Sequence, residues 1–341
     1  MASCALISFR LGGVDGVSIE AAKWANALVA LGHEVRLVAG RGGDGVHIID
    51  GLDLDDQSGI DVSALNEALR DIDVVIVENM LSLPINPRAS NAIARVLRGR
   101  RAIIRHHDLA TDRADTMSWW PPPDDDAWLH VAIAPPVAAA LKEVGIHATV
   151  LWNHFDMTKP VTTVEQAREH FSIPASDLVF LQPTRAVPRK NIECSIAIAE
   201  ALHATFWLTG PAEDNYQPRL DELLARTRVP VRRGVDPDPI ALAYAACDLV
   251  LLPSTREGFG NPIVESISQG RPLVLGHFPV SQCLRDMGFK FLDPDDIDAI
   301  AAWLEQPNAA VLQANYDLAA PLFDIAHLPE RLAEILSAST F

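Results

Sequence analysis

The sequence is short of cysteine, of cationic charge and of long apolar runs, and each shortage closes a class of function. Its four cysteines, Cys4, Cys194, Cys247 and Cys283, lie far apart with no C-x-x-C pair. Neither a zinc site nor a disulfide framework is expected, and a reducing, cytoplasmic compartment fits. Lysine and arginine number 28 against 45 aspartates and glutamates, a formal charge of −17. A nucleic-acid binder wants a basic surface, so that class is not expected. No run reaches the roughly 18 apolar residues of a membrane span. The opening MASCALISFR lacks the basic n-region and long apolar stretch of a signal peptide. A full G-x-G-x-x-G is missing too: Gly12, Gly13 and Gly16 have the wrong spacing, which argues against a dinucleotide-dependent dehydrogenase.

What is present is a chain of 341 residues, 49% hydrophobic, enough for two cores. CALISF (4–9) reads as a buried strand and leads through RLGGVDG into a helix over about 17–31. Val17, Ala21, Trp24, Ala25 and Leu28 give that helix one apolar face. Gly32 ends it and HEVRLVA follows as a strand. Strand, glycine turn, helix, strand is a βαβ unit, so a parallel sheet is expected. The alternation continues through DVVIVE (73–78), RAIIR (101–105), HVAIA (130–134) and ATVLW (148–152). It restarts after NHFDMTKPVTT with LVFLQP (178–183), ATFWLTG (204–210), VPVRRG (229–234), DLVLLPS (248–254) and PLVLG (272–276). The pattern predicts two doubly wound, Rossmann-like α/β domains, 1–155 and 156–315, with a C-terminal helical segment over 316–341 crossing back to the first. Ligands of such sheets bind at the carboxyl ends of the strands, and a cleft between two facing domains is the expected site.

Two stretches carry chemistry. In REGFGNPIVES (256–266), Pro262 suits the first helical position and Asn261 an N-cap. Amides around Gly258, Phe259, Gly260 and Asn261 favour a phosphate. Glu257 lies just before the helix and Glu265 one turn inside it; carboxylates accept hydrogen bonds from hydroxyls and repel phosphate. A ligand with phosphates in its middle and hydroxyls on both sides, such as a nucleotide sugar, meets both demands. A solvated loop Glu257, with Glu265 merely complementing the helix dipole, is the bland alternative. The second stretch, PTRAVPRKN (183–191), puts Arg185, Arg189 and Lys190 within six residues. Such cations stabilise charge building on a leaving diphosphate.

PTRAVPRKN followed by EGFGNPIVESISQGRPLV resembles the retaining glycosyltransferases of family 4, with the GT-B fold. GGVDGVSIEAAKWANALVALGHEV is similar to that family's glycine loop and first helix, RHHDLA (105–110) to its histidine–aspartate motif, and WNHFD to its interdomain segment. The resemblance implies transfer of a hexose from a UDP- or GDP-sugar to an acceptor hydroxyl with retained configuration. It implies that Glu257 holds the sugar hydroxyls, Glu265 the ribose diol, and Arg185 and Lys190 the diphosphate. Gly12 and Gly13 admit the donor phosphate, His107 faces the donor sugar, and Gly234 and Val235 meet the base through backbone groups. The catalytic set is then His107, Arg185, Lys190 and Glu257. Pro183 and Thr184 replace the family's usual glycine before Arg185, and His154 stands where glycine is common.

A nucleotide-sugar epimerase and a non-catalytic nucleotide-sugar-binding protein are the alternatives. No cofactor or metal is expected: the Asp-x-Asp triplets Asp53/Asp55, Asp71/Asp73 and Asp236/Asp238 are ordinary in so acidic a chain. The acceptor, whether small molecule, glycan or lipid-linked, stays open. From Asn79 through His107 there are no acids but six arginines, Arg88, Arg95, Arg98, Arg100, Arg101 and Arg105. A peripheral membrane contact through 88–105 is conceivable; a solvated face with arginine stems over the core is the favoured reading.

Overall fold

The computed structural model describes residues 2–337 apart from 14, 57, 113–115, 159 and 236–238. The chain divides into two compact units, 1–154 with 325–341, and 155–324. Among the described residues twelve strands form two sheets, and every pairing between them is parallel. The first sheet holds β1 (Ser3–Leu11), β2 (Glu34–Gly42), β3 (Val46–Ile48), β4 (Val74–Glu78), β5 (Ala102–His106), β6 (Trp128–Ala132) and β7 (Ala148–Val150). The second holds β8 (Val179–Gln182), β9 (Thr205–Leu208), β10 (Val231–Arg233), β11 (Leu249–Leu252) and β12 (Leu273–Leu275). This is the α/β, doubly wound architecture that the sequence pattern predicts. β3 is the strand the pattern does not reveal, because three residues are too few to show a period.

Strand order places the functional ends. The first sheet runs β3-β2-β1-β4-β5-β6-β7 and the second β10-β9-β8-β11-β12. The order reverses between β1 and β4 in one sheet and between β8 and β11 in the other. At such a switch point the connecting loops leave in opposite directions and open a crevice at the carboxyl ends. Gly12 and Gly13 follow β1, Glu78 ends β4, PTRAVPRKN follows β8, and TREGFG follows β11.

Each sheet is buried by its helices. On one face of the first sheet Leu6, Ile76 and Ile103 pack with Trp24 and Leu28 of the helix Gly16–Ala30, and with Leu328, Leu332 and Ile335 of the helix Leu328–Ser337. Ile7, Val75 and Ile104 form the other face. In the second unit Phe180, Phe206, Leu251 and Val274 pack against Ile192, Ile196 and Ile300.

The C-terminal segment differs in extent from its reading as one crossing helix over 316–341. The helix Ala309–Phe323 belongs to the second unit, where the Phe155 amide donates to the Phe323 carbonyl at 2.7 Å. The return to the first unit begins at Ile325. Among the described residues no helix is long and apolar enough to cross a membrane.

The basic stretch is largely spoken for. Arg105 is fully buried. Arg98 donates to the Asp124 carbonyl, Arg100 to that of Leu69 and Arg101 to that of Leu336. The last three of these guanidiniums cap backbone carbonyls.

Candidate active site

In the second unit the two motif loops are laced together where the sheet order reverses. Buried Gln182, at the end of β8, donates its side-chain amide to the Lys190 carbonyl at 2.8 Å. The Thr255 amide donates to the Arg189 carbonyl at 2.9 Å. Asn191 takes a left-handed conformation, with φ 51°, and its side chain donates to the Pro253 carbonyl at 3.3 Å. These bonds fix Lys190 beside the loop after β11.

Lys190 there forms an ion pair with Oε1 of Glu257, and Arg189 Nη1 lies 2.6 Å from Oε2 of the same carboxylate. Arg189 also donates to the Arg256 carbonyl at 3.2 Å. Only 5% of the Glu257 side chain is exposed, so it is not a solvated loop residue. Burial pushes its carboxyl up, but Lys190 and Arg189 outweigh burial and hold it below the usual carboxylate range. Burial lowers the Lys190 ammonium, with Glu257 opposing.

The helix after this loop starts one residue earlier than its proline suggests. It spans Asn261–Ser268 with Gly260 as N-cap, so Pro262 is at the second position and Asn261 is inside. Gly260 has φ 89°, and a Cβ there would stand 3.1 Å from Ile263 Cδ1. The positive φ favours glycine, and a Cβ would require Ile263 to give way slightly. Phe259 is buried and stacks on Phe155 at 5.9 Å, so whatever it offers a ligand comes from its backbone. Glu265, half-buried, accepts from the Tyr244 hydroxyl at 2.7 Å.

Two expected contributors have protein partners of their own. Arg185 is half exposed and pairs with Glu213 rather than with the Glu257 centre; Arg189, adjacent to Lys190, takes that place. At the base loop, the Gly234 amide donates to the Leu208 carbonyl at 2.9 Å, and its carbonyl accepts from Trp207 Nε1 at 2.8 Å. Both Gly234 backbone groups are thus engaged by the protein.

The first unit holds a second charged centre. Glu78, at the end of β4, and Arg105, next to the end of β5, are register partners, so their side chains share one face. Arg105 Nη1 lies 3.2 and 3.3 Å from the two Glu78 oxygens; its Nη2 reaches Glu20 at 3.2 Å and Asn153 at 3.1 Å. Trp24 lies flat beneath it, 4.3 Å from ring centre to guanidinium carbon. Glu20 also pairs with Lys23 at 2.5 Å. His107 Nε2 sits 2.6 Å from Glu78 Oε2, and its amide donates to Asn79 Oδ1 at 3.1 Å. Burial pushes the Glu78 carboxyl up; Arg105 first and then His107 outweigh it, and it titrates below its ordinary value. Gly12 has φ 77° and needs glycine; Gly13 shows no positive φ. Sequence reading missed Glu20, Glu78, Tyr244 and Asn153. An acid closing the apolar run DVVIVE and an arginine closing RAIIR were the available signal.

Asp-x-Asp residues have local partners. Asp53 pairs with Arg41 at 2.5 Å, and Asp73 accepts from the Ser3 amide at 2.7 Å. Asp236 and Asp238 lie outside the described residues. Among the described residues no group of three His, Cys, Asp or Glu is placed to hold a metal ion.

The two doubly wound units have the fold of solved GT-B glycosyltransferases, and the sequence comparisons point to the same class. Residues 177–306 match the family model described as Glycosyl transferases group 1. The chain is similar to the mannosylglucosylglycerate synthase of Thermotoga maritima, 27% identical over 86% of this chain and 84% of that one. The synthase of the same name from Petrotoga mobilis is 26% identical over 84% and 85%. Among solved structures, Anabaena HepE in complex with UDP-glucose superposes with TM-score 0.80 over 99% of this chain and 100% of that one, at 19% identity.

Proposed function

We propose that this protein transfers a hexosyl group from a UDP- or GDP-hexose to an acceptor hydroxyl with retention of configuration, and that it needs no metal. The observation that carries the reading is the buried Lys190–Glu257–Arg189 cluster, set before a helix start at the strand ends. A lysine ammonium has three donors. One is taken by Glu257, which leaves two for diphosphate oxygens. Glu257, its charge held by the two cations, keeps lone pairs for hexose hydroxyls. Arg185 joins the diphosphate by exchanging Glu213, and an exposed pair of that kind is worth only about 0–1 kcal/mol. Glu265, oriented by Tyr244, accepts from the ribose diol, and Val235 meets the base. Amides of Gly258, Phe259, Gly260 and Asn261 line the phosphate side, as those of Gly12 and Gly13 do in the first unit. His107 contacts the hexose.

In the transfer itself, the bond from the anomeric carbon to the diphosphate oxygen breaks, and a bond to the acceptor oxygen forms on the same face. The acceptor proton passes to the departing diphosphate, so no carboxylate nucleophile is required, unlike in many retaining glycosidases. Lys190 stabilises the negative charge as it develops on the leaving group. Both synthases are named for mannosylglucosylglycerate, which makes a mannosyl donor with glucosylglycerate the first pair to assay.

The test is a thermal-shift panel of nucleotides and nucleotide hexoses, followed by transfer assays with the hit in chelator. Stabilisation by one nucleotide class and product of unchanged anomeric configuration are expected. No shift with any UDP- or GDP-hexose, or transfer restored only by added manganese, contradicts the reading.

A further inference from the structure

We propose that Glu78 is a positioning residue: it holds the His107 imidazole as the Nε2–H tautomer, so that Nδ1 accepts a hydrogen bond from a hydroxyl of the bound hexose. The inference rests on the proposed contact between His107 and the hexose, and deepens it by assigning the direction of the bond.

The geometry leaves the imidazole one choice while it is neutral. Its Nε2 faces a fully buried carboxylate oxygen at 2.6 Å. A carboxylate without a proton only accepts, so the ring proton must sit on Nε2. The backbone that carries the ring is held as well. The His107 and Asp108 amides both donate to Asn79 Oδ1, at 3.1 and 2.9 Å. Glu78 in turn cannot swing away, because Arg105 Nη1 spans both its oxygens and is itself held by Glu20, Asn153 and the Trp24 ring. The arrangement parallels the way a second residue fixes the tautomer of a metal-binding histidine, with a sugar hydroxyl in place of the metal.

The neighbouring histidine is ordered by a carboxylate one ring further away. Buried His106 faces another imidazole, His130 Nδ1, at 2.8 Å. His130 Nε2 in turn faces Asp124 Oδ1 at 2.9 Å, so there the carboxylate puts the proton of a neutral His130 on Nε2 and leaves its Nδ1 to accept from His106, the same rule that fixes the His107 ring.

The test is histidine-selective 15N NMR of the whole protein at neutral pH, with the His107 signals assigned by their loss in His107→Asn. The wild-type protein is expected to show His107 as the Nε2–H tautomer. In Glu78→Gln, Arg105 claims the amide oxygen and the amide NH2 turns to His107, so the ring is expected to flip to Nδ1–H. The same variant is expected to raise the KM for the hexose donor about tenfold, with kcat within about threefold, and to leave binding of bare UDP or GDP unchanged. A structural role alone moves neither the tautomer nor this KM-against-kcat split. A wild-type ring protonated at Nδ1 alone, or a ring unchanged in Glu78→Gln, overturns Glu78 as the positioning residue. A flipped ring with unchanged donor KM overturns the contact between His107 and the hexose instead, so the two failures are distinct. Should Glu78→Gln not fold, the wild-type spectrum still decides the tautomer.

Discussion

The two units solve one problem in opposite ways. Each buries a cation–carboxylate centre at its sheet's switch point. In the second unit Lys190, Arg189 and Glu257 stand on two loops, and Arg189 remains 32% exposed. In the first, Arg105, Glu78 and Glu20 grow from strand ends and a helix and are sealed, at 1% exposure or less. A loop-borne centre with spare donors can meet a ligand. A sealed one, with nearly every donor spent on the protein, can only hold neighbours in place. Charge at a strand end is therefore not by itself a sign of chemistry; its access and its unspent hydrogen-bonding capacity are.

The largest expected break in this comparison is in turnover. Lys190→Gln should lower transfer by about 10²-fold or more and remain folded, measured as kcat beside a thermal melt. Glutamine is preferred to alanine, since the latter strips a buried partner from Glu257. The sealed centre should respond in the other currency. Arg105→Met leaves Glu20 and Glu78 buried without their shared cation, and should cost about 3–5 kcal/mol of stability, read by denaturant unfolding.

Acid should separate the units next. Burial lowers His154 to about 4, and burial also lowers His106 and His130; all three lie in the first unit. A histidine depressed on folding binds its proton more readily when unfolded. Its contribution is whole above about 6.5 and is lost as pH falls toward the folded value, on the order of 3 kcal/mol for His154. Glu257 is a depressed carboxylate, so its contribution is lost only below its ordinary value of 4.5. Hydrogen exchange at pH 7 and pH 5 should show the first unit loosening and the second unchanged. Smaller still, Gly260→Ala should cost about 1–2 kcal/mol at its left-handed turn, and Tyr244→Phe should raise donor KM about threefold.

The same contrast explains what was legible in the sequence. βαβ alternation gives the parallel sheets because period and turn residues are local. The second unit's centre is legible because its residues sit in two short motifs after adjacent strands. The first unit's centre draws on positions 20, 78, 105, 107 and 153, joined only by strand register and packing, so Arg105 reads as one more basic surface residue. Arg189, not Arg185, meets Glu257 because a short helical turn, Pro188–Lys190, aims it there, which spacing alone does not specify. The helix Ala309–Phe323 continues through Pro321 and the break after it carries no glycine, so the reading over 316–341 joins its second half to the helix that follows.

The measurement that bears most directly on the account is calorimetric binding of UDP, GDP and their hexose derivatives to the wild-type protein, Lys190→Gln and Glu257→Gln. Lys190→Gln is predicted to weaken the bare nucleotide and the nucleotide hexose alike, by tenfold or more, while Glu257→Gln weakens only the hexose derivative. Unaltered affinity of both variants for the nucleotide hexose would contradict it.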